Sequence, residues 1–150
     1  MIGPATTRAT YLKLLPAMSS LVLPNHLKAS YRAELRAARV AYARRDAAQA
    51  FRHLERAHIL GQRWAWSHTR VHWLMLRHGW RTRSAAEVLG QLPRIVLGFW
   101  GSVLGRVPVG NTGGANVPAE RPMPIPPDLQ ALLAATGPAP VVPNSEPSLK

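Results

Sequence analysis

Five of the six histidines fall between residues 53 and 78, and two of their spacings could do chemistry. The first is Glu55-Arg56-Ala57-His58. Three residues apart on a helix, a carboxylate and an imidazole point to the same side. Di-iron and di-manganese bundles use this Glu-x-x-His spacing twice, with further Glu from facing helices. This chain has one copy, and Glu34 is the one extra carboxylate in the preceding helical stretch. The second is His68-Thr69-Arg70-Val71-His72. Two His four apart on a helix can hold one metal ion, as in the zinc-protease motif, but that motif needs Glu directly after its first His. Thr69 stands there and removes the protease reading.

A turn at Gly61 would fold the helix carrying Glu55 and His58 back on the one carrying His68 and His72. The expected site is therefore Glu55, His58, His68 and His72, completed by Glu34. Imidazole and carboxylate together suit a divalent transition metal: zinc, nickel, cobalt or ferrous iron. The ordinary alternative is a set of packed histidines, each with one hydrogen bond, beside a buried polar network of Glu34 or Glu55. His53 and His78 fall off the shared ridge and read as surface or capping residues. His78 beside Gly79 suits the negative end of a helix.

The elements that must position these residues are all helical. Leu27, Tyr31, Leu35, Ala38 and Ala41/Tyr42 recur at spacings of three and four, predicting a helix over 27–45. Asp46 is an expected N-cap for a second helix, Ala47 to Leu60, stopped by Gly61. A third should run from Arg63 to His78 and stop at Gly79. Ser84 with Glu87 forms a capping box for a fourth, whose apolar face would be Leu89, Leu92, Val96, Phe99 and Val103. Pro93 lies inside it and predicts a kink or break. Beyond Gly105 the chain turns Pro/Gly-rich, with a run Gly110-Asn111-Thr112-Gly113-Gly114 that reads as a tight turn. A strap of Arg121–Asp128 follows, with Met123 and Ile125 set to bury in a groove, and Asp128 would cap a short helix over 129–135.

The fold expected is thus all-α: a bundle of about four helices that starts with a tetratricopeptide-like hairpin and ends in a Pro/Gly-rich strap. Its divisions are an irregular N-terminal extension (1–25), a helical domain with its strap (26–135) and a disordered tail (136–150). No second copy of the hairpin follows at the repeat period, so this is not a repeat array.

Composition narrows the function classes. There is no Cys, which removes disulfides, thiolate metal sites and cysteine nucleophiles. The net charge of +12 is consistent with an anionic partner such as nucleic acid or a lipid headgroup, but the arginines form no tract and no nucleic-acid motif accompanies them. No stretch reaches the roughly 18–20 apolar residues of a membrane span, and a cytoplasmic location is expected. Trp64 and Trp73 fall at helical spacings among apolar residues and read as core. The glycine run lacks the Lys-Ser/Thr ending of a phosphate loop and follows no strand.

The run Phe51 to Gln62, the segment His68 to Leu76, the loop Gly110 to Gly114 and Pro122-Met123-Pro124-Ile125-Pro126 together resemble an uncharacterised bacterial family, domain of unknown function 3703, over residues 27–133. The resemblance implies no activity. From the residues, the leading expectation is a small metal-binding protein in divalent transition-metal homeostasis. The alternatives are a helical module that docks a protein partner with a basic surface, and a basic nucleic-acid-binding protein. Nothing in the sequence calls for catalysis, since no nucleophile stands at a readable spacing from a base.

Overall fold

A computed structural model describes residues 20–135. Most of the expected N-terminal extension and all of the expected tail, residues 136–150, lie outside the described residues. Five helices and no strand are found among the described residues: α1 (Asn25–Ala43), α2 (Ala47–Gly61), α3 (Ala65–Thr82), α4 (Ala85–Val103) and α5 (Pro127–Ala134). Successive helices pack on one another, α1 on α2, α2 on α3 and α3 on α4, while α5 lies against α1 and α2.

The α1–α2 hairpin turns tightly at Arg44–Asp46. Arg45 takes a left-handed φ of 62°, and the Asp46 side chain accepts from the Gln49 N–H at 2.8 Å, as the N-cap expectation required. Ala38 and Ala41 on α1 and Ala50 and Ala57 on α2 are buried, and their small side chains let the two backbones approach. Leu27, Tyr31 and Leu35 of α1, Leu54, Ile59 and Leu60 of α2, Val71 and Met75 of α3 and Leu129 of α5 complete one apolar core. The Tyr31 hydroxyl reaches across to donate to the Ser67 carbonyl at 3.0 Å. Ser20 and Leu21, ahead of α1, offer carbonyls to the Ala65 and Trp66 N–H groups and so satisfy free donors at the start of α3.

Several expectations for the second half are corrected. Gly79 does not end α3, which continues to Thr82 and closes on Arg83 in the left-handed region, φ 55°. Gly79 is there for contact: a Cβ on it would lie 2.9 Å from the Cβ of Glu87 and from the backbone N of Val88, so only glycine lets α4 come this close. Pro93 neither breaks nor ends α4. The carbonyl it frees belongs to Leu89, on the exposed side of the helix, where water can satisfy it. Asp128 lies inside the first turn of α5, not at its cap, and pairs with Arg56 at 2.5 Å.

The largest correction concerns which side of α4 faces inward. Of the residues expected to form its core face, Leu89, Leu92 and Val96 are exposed and Phe99 and Val103 are only partly buried; Leu97 and Trp100, beside them, are exposed as well. The buried residues of α4 are Glu87, Gln91 and Ser102. α4 therefore turns a polar stripe into the protein. Trp73, expected in the core, is also exposed, whereas Trp64 is partly buried against the core.

Candidate metal centre

His58 on α2 and His68 and His72 on α3 meet at the place where α4 turns its polar stripe inward. All three rings are buried, with relative exposures of 3%, 5% and 2%. The separations between their Nε2 atoms are 2.8 Å (His58–His68), 2.9 Å (His68–His72) and 3.3 Å (His58–His72). His68 and His72 converge because they are four apart on one helix. His58 joins them because α2 and α3 form an antiparallel pair around Gln62–Trp64.

The Nδ1 atoms decide what the Nε2 atoms are. His58 Nδ1 lies 2.8 Å from the Asn111 carbonyl oxygen. A carbonyl only accepts, so this Nδ1 carries the proton. His72 Nδ1 lies 2.7 Å from Gln91 Oε1. The Gln91 amide cannot be turned round, because its nitrogen donates to Glu87 Oε1 at 2.7 Å and to the Gly113 carbonyl at 2.8 Å. His68 Nδ1 lies 2.8 Å from Ser102 Oγ and 3.1 Å from the Gly98 carbonyl. Ser102 spends its own proton on the Gln62 carbonyl, at 2.7 Å, and so accepts from His68. All three rings are thereby held as the Nδ1–H tautomer, and three Nε2 lone pairs point at one another.

Three lone pairs at this distance repel unless a cation lies among them. Burial works against a proton in that role. Burial pushes the imidazole of His68 down to about 4 and, together with the His68 charge, that of His72 down to about 3. Burial, then the charges of His68 and His72, hold His58 well below the ordinary histidine value. A metal ion fits. His58, His68 and His72 would hold it through their Nε2 atoms, and imidazole nitrogen is an ordinary ligand for divalent transition metals. Hydrogen bonding at Nδ1 is the usual outer support of a metal-binding histidine, fixing ring orientation and tautomer.

Glycines make the approach possible. Gly113 has φ 82°, and a Cβ there would lie 2.6–2.7 Å from ring atoms of His58. A Cβ on Gly98 would stand 3.0 Å from His68 Cε1 and 3.3 Å from His72 Cδ2. The Gly110–Gly114 loop turns with positive φ at Gly110 and Gly113, as expected from the sequence, and it is also a wall of the site. The Asn111 side chain braces it, donating to the Pro118 and Arg121 carbonyls and accepting from the Gly113 N–H. Gln62 ties it to the end of α2, with its amide nitrogen 3.1 Å from the Pro108 carbonyl and its oxygen 2.9 Å from the Gly110 N–H.

Of the five residues expected in the site, His58, His68 and His72 form the one group of three or more metal-capable side chains among the described residues. Glu34 and Glu55 are not in it. Both Glu34 oxygens are occupied elsewhere, by His53 Nδ1 and Arg56 Nε at 2.7 Å each. Glu55 is half-buried beside Thr112, and burial raises its carboxyl pKa. The rings expected off the ridge are indeed elsewhere: His53 on Glu34, and His78 with Nδ1 2.8 Å from the Tyr42 hydroxyl and its ring against Phe51.

Gln91, Ser102 and Asn111 were not visible as site residues from the sequence. The signal that points to two of them is the inverted pattern of α4, in which Glu87, Gln91, Gly98 and Ser102 recur on one side of an otherwise apolar helix. Asn111 gave none, since it meets His58 through its backbone carbonyl while its side chain braces the loop.

A family model described as "Protein of unknown function (DUF3703)" matches residues 25–133, a span that includes the three histidines and all their acceptors. No curated protein and no solved structure matches the chain. The chain belongs to the DUF3703 family.

Proposed function

We propose that this protein binds one divalent transition-metal ion through Nε2 of His58, His68 and His72, and serves in holding or handing on that ion. The observation that carries this reading is the set of three acceptors behind the rings: the Asn111 carbonyl, Ser102 Oγ and Gln91 Oε1. A merely structural histidine cluster would share protons between its rings. Here each ring proton is directed outward and the inner nitrogens are left bare. Three imidazoles suit zinc, nickel, cobalt and ferrous iron, with affinity and supply choosing among them. Calorimetric titration of the metal-free protein with each ion tests this. Binding of one ion per chain, abolished by His58→Ala with His72→Ala, is expected; binding indifferent to that double change rejects it.

A second reading, docking of a protein partner, is favoured by the exposed apolar side of α4. Leu89, Leu92, Val96, Leu97 and Trp100 are each more than half exposed, more clustered apolar surface than a free-standing helix needs. It is compatible with the first. Replacing Leu92 and Val96 together by Gln should leave metal binding intact and raise solubility or abolish self-association in sedimentation; no change in either would remove this reading.

A further inference from the structure

A cavity of about 570 Å³ opens directly on the three histidines. Its walls are mostly apolar, from Pro93, Leu97, Val107, Pro108 and Ala119. It is a cleft open to solvent along Pro93, Leu97 and Ala119, and its volume lies within the usual range for a small-molecule site. Its charged groups are Arg94, Arg106 and Glu120, so the two guanidiniums outnumber the carboxylate. Arg94 is the one fixed in place. Its terminal nitrogens donate to the Gly90 carbonyl at 2.8 Å and the Val117 carbonyl at 2.7 Å. Its Nε is buried and has no acceptor. It is close enough for its charge to act on both His58 and His72.

The charge balance of the centre is one-sided. Three neutral imidazoles backed by a carbonyl, a hydroxyl and an amide leave a divalent ion with its full charge, since no ligand or direct outer acceptor is a carboxylate. A buried positive centre beside the partly buried guanidinium of Arg94 favours an anion, which lowers the cost of holding two like charges close together. The apolar walls of the cleft favour an anion with an apolar body over a fully hydrated one.

We infer that this centre takes a small organic anion, a carboxylate with an aliphatic body, with Arg94 beside its head and the apolar walls of the cleft against its body. This rests on the metal-binding reading of His58, His68 and His72. Arg94 would be the positioning residue: it sets the direction of the head group without holding the ion.

The cobalt(II)-loaded protein provides the test, because the visible bands of cobalt report each change in its ligands. Hexanoate, acetate and inorganic phosphate are titrated in turn. Hexanoate is expected to shift the bands saturably, with an affinity at least about tenfold above that of acetate from burial of its extra methylenes. Arg94→Gln is expected to weaken hexanoate about tenfold while cobalt affinity stays level or rises, since a positive charge beside the ion is removed. A purely structural Arg94 would instead lose both together, which overturns its role here. Should that variant fail to fold, the three anions on the native chain still decide. Cobalt bound with bands indifferent to hexanoate, or responsive to phosphate alone, overturns this inference and leaves the metal site standing. Failure to bind cobalt overturns both.

Discussion

The imidazole of His72 is held by Gln91, with Nδ1 2.7 Å from Oε1, and Gln91 is itself held from its far end by Glu87 and the Gly113 carbonyl. The chain Glu87–Gln91–His72 thus runs from α4 into α3 and fixes which ring nitrogen is bare. Glu87 also accepts from the Ala115 N–H at 3.1 Å, so the same carboxylate anchors the loop that holds His58.

Gln91→Leu keeps the volume and removes the acceptor. His72 is then free to turn or to change tautomer. Metal affinity should fall by about 10–100-fold, the usual cost of losing an outer partner of a metal-binding histidine. Calorimetry on the folded variant checks this, and unchanged affinity would mean that Gln91 does not set the ring.

Gly113→Ala should be costly in two ways. Its φ of 82° is unfavourable for a residue with a Cβ, and that Cβ would overlap the His58 ring. We expect a loss of at least about 2 kcal/mol in stability from strain and overlap together, with metal binding reduced as His58 is displaced. Thermal unfolding of the metal-free variant, followed by metal titration, separates the two effects.

The expected carboxylates give an opposite prediction. Glu34→Gln should leave metal affinity unchanged and lower stability by on the order of 1 kcal/mol, because the His53 and Arg56 contacts it makes are only partly buried. Glu55→Gln should likewise leave metal affinity unchanged. A loss of metal affinity in either variant would restore that carboxylate to the site.

The pH dependence of the metal-free protein follows from the lowered histidines. The folded chain keeps His68 neutral down to about 4 and His72 down to about 3, whereas the unfolded chain takes up protons near 6.5. Between these limits the unfolded state binds more protons, so stability is full above about 6.5 and falls as pH drops toward 4. Each such histidine contributes a slope of up to about 1.4 kcal/mol per pH unit. Denaturant unfolding at a series of pH values measures the slope; a flat response from pH 7 to 5 would show that the rings are not buried as neutral groups.

How much of this was legible from the sequence differs from residue to residue. His68 and His72 were readable because helical periodicity alone brings residues four apart together. His58 was readable because Gly61 and the short connection to Ala65 force an antiparallel return. Glu34 and Glu55 were misplaced for one reason: helix spacing tells which residues share a side, not how far around the axis a neighbouring helix sits. Glu34 meets Arg56 and His53 one step around α2 from His58. α4 misled because its apolar residues outnumber its polar ones. Ordinary patterning buries the apolar side, but here the polar stripe of α4 turns inward and satisfies two imidazole N–H groups, those of His68 and His72. The Asn111 carbonyl carries no sequence signal, since every residue has one. The helices themselves were legible, including the Asp46 cap, whereas Gly79 was misread because a glycine for close contact and a glycine for a helix end look the same.

X-ray absorption at the metal edge on the zinc- or cobalt-loaded protein, compared with His58→Ala, decides whether the three imidazoles hold an ion. One ion per chain is expected, with three imidazole nitrogens at about 2.0–2.1 Å plus at least one exchangeable oxygen ligand, and loss of one imidazole in the variant. A purified chain that binds no ion, or one whose metal environment is the same with and without His58, would contradict the metal-binding reading.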